Sequence, residues 1–125
     1  MTNATSINHI LNTKEKKVAF FQNIVLVAIA DRYVDKMESD FLVELGNQLG
    51  LTEADTLPIS DNLPGLKFVI PEESLQRSME LEILVKMVLQ DGVVEDREYD
   101  LCLEYSRQVG FTKENLDELI KKGRN

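Results

Sequence analysis

Apolar residues recur along most of the chain at the spacing of a helix face. In residues 18–30 they go most of the way round the helix, which predicts a central helix buried on several sides. The next segment is apolar on one face only, at positions i, i+1, i+4 and i+8, and Gly50 follows as an expected C-cap. That face is formed by Phe41, Leu42, Leu45 and Leu49.

The second part of the chain predicts a similar series of helices. We expect a long helix to begin at Pro71, the favoured first helical position, with Glu72 and Glu73 near its positive N-terminal dipole. Beyond Gly92 a one-faced helix repeats the earlier spacing and ends at Gly110, and a last short helix follows. The buried stripes are Leu81, Leu84, Val85 and Val88, then Leu101, Cys102, Tyr105 and Val109, then Leu116, Leu119 and Ile120. The predicted fold class is all-α, a compact bundle of about six or seven helices.

An internal repeat relates the two parts. Shifting the chain by 60 residues aligns 24–56 with 84–116 without a gap, and nine of the 33 pairs are identical, where random composition gives about two. The identical pairs are Val25/Val85, Asp31/Asp91, Val34/Val94, Glu38/Glu98, Asp40/Asp100, Glu44/Glu104, Gln48/Gln108, Gly50/Gly110 and Thr52/Thr112. We therefore predict two halves, at about 17–56 and 71–122, related by a pseudo-two-fold repeat.

The connection between the halves contains all three prolines and is predicted to be irregular from about residue 56 to 70. Its part at 57–70 is too apolar for a free linker, so we expect it to pack over the core. A chain of 125 residues has the length of one domain. The prediction is thus a single domain, 1–125.

Charge and cysteine content narrow the classes of function. The chain has 22 acidic and 14 basic residues, a net charge of -8, which disfavours binding to nucleic acid or anionic lipid and favours cations or basic proteins. Cys102 is the single cysteine, which excludes an intramolecular disulfide and any Cys-rich metal site. With neither a signal peptide nor a membrane-length apolar run recognisable, we expect a soluble, cytoplasmic protein.

The repeated acids are the main candidate for chemistry. Each half places an Asp at the end of one helix, Asp31 or Asp91, and a Glu seven residues later, Glu38 or Glu98. With Glu98 at position 12 of an EF-hand loop, Gly92 falls on the required glycine, but positions 1 and 3 are apolar in both halves, which argues against an EF-hand.

Two explanations of these acids stay open. In the structural one, Asp35 and Glu38, or Glu95 and Glu98, form capping boxes, and the aspartates stabilise turns. In the functional one, Asp31, Glu38, Asp91 and Glu98 converge on a divalent cation, and their oxygen ligands indicate Ca, Mg or Mn rather than Zn.

The duplicated pattern resembles the bacterial tellurite-resistance TerB family. The resemblance rests on two copies of Asp-Gly-x-Val-x-x-x-Glu at a helix end and on the turns Gly50-Leu51-Thr52 and Gly110-Phe111-Thr112, and it covers about residues 17–122. It implies a compact helical domain in a cytoplasmic stress or resistance system, with metal binding through these acids and membrane-associated partners. Arg32 stands in the first half where the second has Gly92, which favours the second half as the metal site.

Catalysis finds little support in the sequence. His9, the only histidine, lies in a polar N-terminal segment, and Cys102 occupies an apolar stripe, so we expect a surface role and a core role respectively. Two small basic clusters, Lys14, Lys16 and Lys17 and then Lys121, Lys122 and Arg124, suit solvated helix ends or a small patch for a partner or membrane surface. The prediction is a non-enzymatic module that binds a divalent cation, a protein partner, or both. The alternative is a metal-free adaptor that recruits a protein through its acidic surface and the apolar stretch 57–70.

Overall fold

The computed structural model describes residues 7, 9–30, 36–90 and 92–124 of the 125. Between Lys14 and Gly123 the described residues form six α-helices and a short 3₁₀ turn, and no described residue lies in a strand. The helices are α1 Lys14–Ala28, α2 Lys36–Gln48, α3 Glu53–Ser60, α4 Ser74–Val88, α5 Asp96–Gln108 and α6 Lys113–Gly123, with the 3₁₀ turn at Leu63–Gly65. The predicted all-α bundle is confirmed.

The helix boundaries follow the 60-residue shift found in the sequence. Helices α4, α5 and α6 begin 60 residues after α1, α2 and α3, and α4 and α5 also end 60 residues after their counterparts. Each half is therefore one three-helix unit, α1–α3 or α4–α6. The sequence alignment identified the register of this repeat correctly.

Helices α1 and α4 supply most of the core through matched positions. All six buried residues of α1 have a buried counterpart 60 residues later in α4. The pairs are Phe20/Glu80, Phe21/Leu81, Asn23/Ile83, Ile24/Leu84, Val27/Met87 and Ala28/Val88. The packing is also reciprocal, since α1 lies against α4 and α5 while α2 lies against α4, as expected when two like units share an isologous interface.

The ends of the second helix in each unit are set by the same residues. Gly50 and Gly110 have positive φ, +71° and +94°, a conformation that costs glycine little because it has no Cβ. Thr52 and Thr112 then start the third helix as N-caps of a capping box. These repeated pairs therefore specify the turn between the second and third helices.

Two predictions about the connection were wrong. The long helix of the second half begins at Ser74, three residues after Pro71, with Glu73 as its N-cap. Pro71 is buried and its carbonyl accepts a hydrogen bond from Arg77 Nε at 2.6 Å. The first carbonyl to accept a helix amide is that of Glu73, which bonds the Arg77 amide at 3.0 Å.

The second error concerns the start of the connection. Residues 53–60 form α3 with Pro58 inside it, where the sequence predicted irregular chain from about residue 56. Proline has no backbone N–H, so Pro58 costs this eight-residue helix one internal hydrogen bond. From Asp61 to Glu73 the segment is irregular apart from the 3₁₀ turn at Leu63–Gly65, and Leu66, Phe68 and Ile70 pack against the core as expected.

Candidate functional site

Glu38 and Glu98, two of the four predicted cation ligands, occupy matched and buried positions. They lie in the first turns of α2 and α5 and are 3% and 2% exposed. The backbone amide of Glu95, the N-cap of α5, donates a hydrogen bond to Glu98 Oε1 at 3.2 Å. This bond is the reciprocal half of the capping box that the sequence predicted at this position.

The other two predicted ligands, Asp31 and Asp91, lie outside the described residues, as does the predicted cap Asp35. Of the neighbouring acids, Glu95 and Asp96 are both exposed. Within the described part of the chain, no three His, Cys, Asp or Glu residues come close enough together to hold a metal ion. The four-residue site therefore stays a prediction.

A buried polar cluster around Glu80 joins the two halves and was missed by the sequence analysis. Glu80 is 2% exposed. Its Oε1 accepts hydrogen bonds from Asn23 Nδ2 at 3.1 Å and Tyr105 Oη at 2.9 Å, and its Oε2 accepts one from Gln76 Nε2 at 2.7 Å. Burial raises the pKa of Glu80, and these three donors act in the opposite direction because they favour the ionised carboxylate.

The Glu80 cluster also holds the irregular connection. Asn23 pairs with both backbone polar groups of Val69: its Nδ2 donates to the carbonyl at 2.9 Å and its Oδ1 accepts from the amide at 2.8 Å. The ring of Phe68 packs on that of Tyr105, with centroids 5.2 Å apart. The available sequence signal was a polar residue at position 23 inside a nearly continuous apolar run.

The two residues weighed as catalytic groups have the roles that the sequence predicted. Cys102 is fully buried, and burial raises the pKa of its thiol to about 12, so it stays protonated at neutral pH and is a poor nucleophile. His9 is exposed. Tyr105 lies in the core, where burial also raises its pKa.

The N-terminal basic cluster is largely engaged in surface ion pairs. Lys14 Nζ lies 2.9 Å from Asp55 Oδ2, and Lys16 Nζ lies 3.0 Å from Glu73 Oε1. At the other end of the chain, Lys121 and Lys122 are exposed in the last turn of α6. None of the helices described here has the length and apolar character needed to cross a membrane.

The class defined by this fold is an all-α domain made of two repeated three-helix units that share one core. Comparisons of the chain with protein-family models, with curated proteins and with solved structures found no match.

Proposed function

We propose that this chain is a non-enzymatic binding domain of the TerB-like kind that holds a divalent cation where α2 and α5 begin. The observation that carries the proposal is the burial of a carboxylate at the same position of both repeats, Glu38 and Glu98. The proposed ligands are these two residues together with Asp31 and Asp91. As the resemblance to the TerB family implies, the role would be in a cytoplasmic stress or tellurite-resistance system.

Helix capping by itself does not require such burial. In the capping boxes of α3 and α6 the third residue, Asp55 or Asn115, performs the same role while partly or fully exposed. Withdrawing a carboxylate from water costs several kcal/mol unless charge or hydrogen bonds compensate it. A role in helix capping alone therefore does not explain the burial. A cation shared with neighbouring carboxylates is a strong form of compensation.

The chemistry of the described donors fits a hard cation. Carboxylate oxygens are the ligands that Ca, Mg and Mn prefer. In the proposed site Asp31 and Asp91 supply the remaining ligands. When bound, the ion would neutralise the buried charge of Glu38 and Glu98 and stabilise the first turns of α2 and α5.

Calorimetric titration with Ca, Mg and Mn tests this proposal. Glu38→Gln and Glu98→Gln keep the size of the side chain and a capping oxygen but remove the charge, so we expect each to weaken or abolish the binding heat. Asp55→Asn is the matched control, since it changes an acid in a capping box away from the repeated glutamates. Absence of heat at millimolar metal, or unchanged binding in the double Gln variant, would refute the cation site.

The second candidate function is a metal-free protein adaptor. The hydrogen bond from the Glu95 amide to Glu98 favours it, because that bond assigns Glu98 a role in capping that needs no ion. The apolar stretch 57–70 is largely used in packing, but Leu57 and Val69 in it are 45% and 44% exposed. Partner binding that resists a chelator and is lost on charge reversal away from the repeated acids would favour the adaptor.

A further inference from the structure

A mainly apolar cavity of about 430 Å³ lies where α4 meets α2 and α6. Helix α4 packs against both of these helices. The apolar part of the lining consists of the buried Val85 and the half-buried Phe41, Leu89 and Leu119. The volume is within the range of roughly 300–1,000 Å³ that is typical of small-molecule sites. We name this space the α4 cavity.

The rest of the lining is polar and faces water. It consists of Glu82, Lys86, Gln90, Lys122 and Gly123, all of them exposed. A Cβ atom at Gly123 would lie 2.5 Å from Leu89 Cδ1, so glycine lets the end of α6 approach the apolar wall closely. The cavity therefore has an apolar interior and a charged, solvent-facing rim.

Neither lysine of the α4 cavity is neutralised by the described part of the protein. Lys86 and Lys122 take part in none of the ion pairs among the described residues. Glu82 does not pair with Lys86, although it lies four residues away on the same helix, whereas Lys36 and Lys113 do pair with an aspartate at that spacing. The lining thus offers two ammonium groups against one carboxylate, a net charge of +1.

Comparison of the repeats shows that the ends of these helices do not require the two lysines. A base in the last turn of a helix interacts favourably with the helix dipole, and Lys86 in α4 and Lys122 in α6 have such positions. Within their described spans, the matched helices α1 and α3 have no basic residue in the last turn. Leu26 and Asn62 stand at the matched positions. The positive charge at this cavity is therefore a property of the second half alone.

We propose that the α4 cavity binds the monoanion of a long-chain carboxylic acid. The alkyl chain packs against the apolar lining, and the carboxylate accepts charge-assisted hydrogen bonds from Lys86 and Lys122. A lining with a net charge of +1 matches a ligand with one negative charge. This site requires no cation and does not rest on the proposed function.

The charge of the whole chain indicates that the acid comes as a free molecule in solution, not as part of a bilayer. The net charge of -8 repels an anionic membrane surface, which faces many side chains at once. At physiological ionic strength, exposed charges more than about 8 Å away are largely screened. The two lysines therefore dominate the field at a single bound carboxylate.

Calorimetric titration with decanoate, decylammonium and acetate tests the proposal, with a chelator present throughout and decanoate below its micelle concentration. We expect binding heat with decanoate and none with acetate, which has the carboxylate without the chain. Decylammonium has the same chain and the opposite charge, so it should bind about tenfold more weakly or not at all.

Variants of the charged lining test the role of the two lysines. Lys86→Gln with Lys122→Gln should weaken decanoate binding about tenfold or more, and Glu82→Gln should strengthen it because the only carboxylate of the lining is removed. The matched control is Lys67→Gln with Lys121→Gln, which removes the same charge from exposed lysines outside the cavity. This control should retain the wild-type affinity within about twofold.

Two neighbouring residues of α2 locate the alkyl chain. Phe41 lines the α4 cavity, whereas Leu42 lines a separate, mainly apolar cavity of about 350 Å³ whose described lining contains Glu53 and no basic residue. Both are half-buried. Phe41→Ala should weaken decanoate binding about tenfold, and Leu42→Ala should not. Urea denaturation shows whether each variant is folded, and the charge variants at exposed positions carry the test if Phe41→Ala unfolds.

Four results would overturn the proposal. They are the absence of decanoate binding, equal binding of decylammonium, equal losses in the two double-lysine variants, and an equal loss in folded Phe41→Ala and Leu42→Ala. Sedimentation with phosphatidylglycerol vesicles supplies a fifth. Membrane binding that Lys86→Gln with Lys122→Gln abolishes would mean that a bilayer lipid, and not a free acid, is the ligand. Because the chelator keeps divalent cations away, failure here leaves the cation proposal unaffected.

Discussion

The two hydrogen bonds between the Asn23 side chain and the Val69 backbone should contribute a large part of the stability of the connection between the two halves. Asn23 is 1% exposed and makes three hydrogen bonds, two to the Val69 backbone and one to Glu80. Asn23→Ala removes all three, each worth about 1 kcal/mol. Water can replace part of the loss at Val69, which is 44% exposed, but not at Glu80, which is 2% exposed. We expect a decrease of about 2–3 kcal/mol in the free energy of unfolding.

Gln22 provides the matched control next to Asn23. Its Nε2 donates one hydrogen bond to the carbonyl of Lys67 at 2.8 Å, at an exposed site, so Gln22→Ala should cost less than about 1 kcal/mol. Urea denaturation gives both values, and hydrogen exchange should show faster exchange of the Val69 amide in Asn23→Ala. If the two variants differ by less than about 0.5 kcal/mol, the buried cluster does not anchor the connection and our reasoning fails.

Three further predictions concern Glu80, Cys102 and the matched pair at 56 and 116. Because burial raises the pKa of Glu80, the folded state keeps a proton that the unfolded chain releases, so this residue lowers the free energy of unfolding as pH rises above the ordinary glutamate pKa. In urea titrations across pH 4–8, the free energy of unfolding should decrease less with rising pH in Glu80→Gln than in the wild type. An equal pH dependence in the two proteins would contradict the reasoning. Cys102, buried with its pKa raised to about 12, should resist a thiol reagent at pH 8 until urea unfolds the protein; rapid labelling of the folded form would exclude this placement. Leu116 is fully buried, so Leu116→Ala should lower stability by about 2–5 kcal/mol, whereas Thr56→Ala should change it by less than about 1 kcal/mol; equal effects in thermal or urea unfolding would refute this asymmetry between the halves.

The sequence predicted the elements whose cause is local or periodic. Apolar spacing predicted the long helices, and Gly50 and Gly110 marked the turns that need positive φ. Helix α3 was missed because Pro58 was taken as a sign of irregular chain. The 60-residue shift nevertheless aligns this segment with α6. The start of α4 was misplaced because proline is favoured at N1, whereas the structure begins this helix at Ser74 with Glu73 as its N-cap.

At the candidate site, too, contacts with a local cause could be predicted from the sequence, and long-range contacts could not. Capping at Glu98 follows from local spacing, and the structure contains its hydrogen bond to the Glu95 amide. The Glu80 cluster depends on residues 25 and 57 positions away in sequence. No local pattern could place Tyr105 and Asn23 on one carboxylate, because their meeting is a consequence of how the two units pack.

Comparison of the two repeats separates what the fold needs from what a function could use. Identical positions such as Gly50/Gly110 and Thr52/Thr112 build the turns of both units, so their identity is explained by the scaffold alone. Tyr99 and Asp117 show that this scaffold can close its last two helices. The first half has Ser39 and Leu57 at these positions, so the hydrogen bond between Tyr99 and Asp117 has no counterpart there. The positions that differ between the repeats, and not the identical ones, are therefore where the two units can serve different roles.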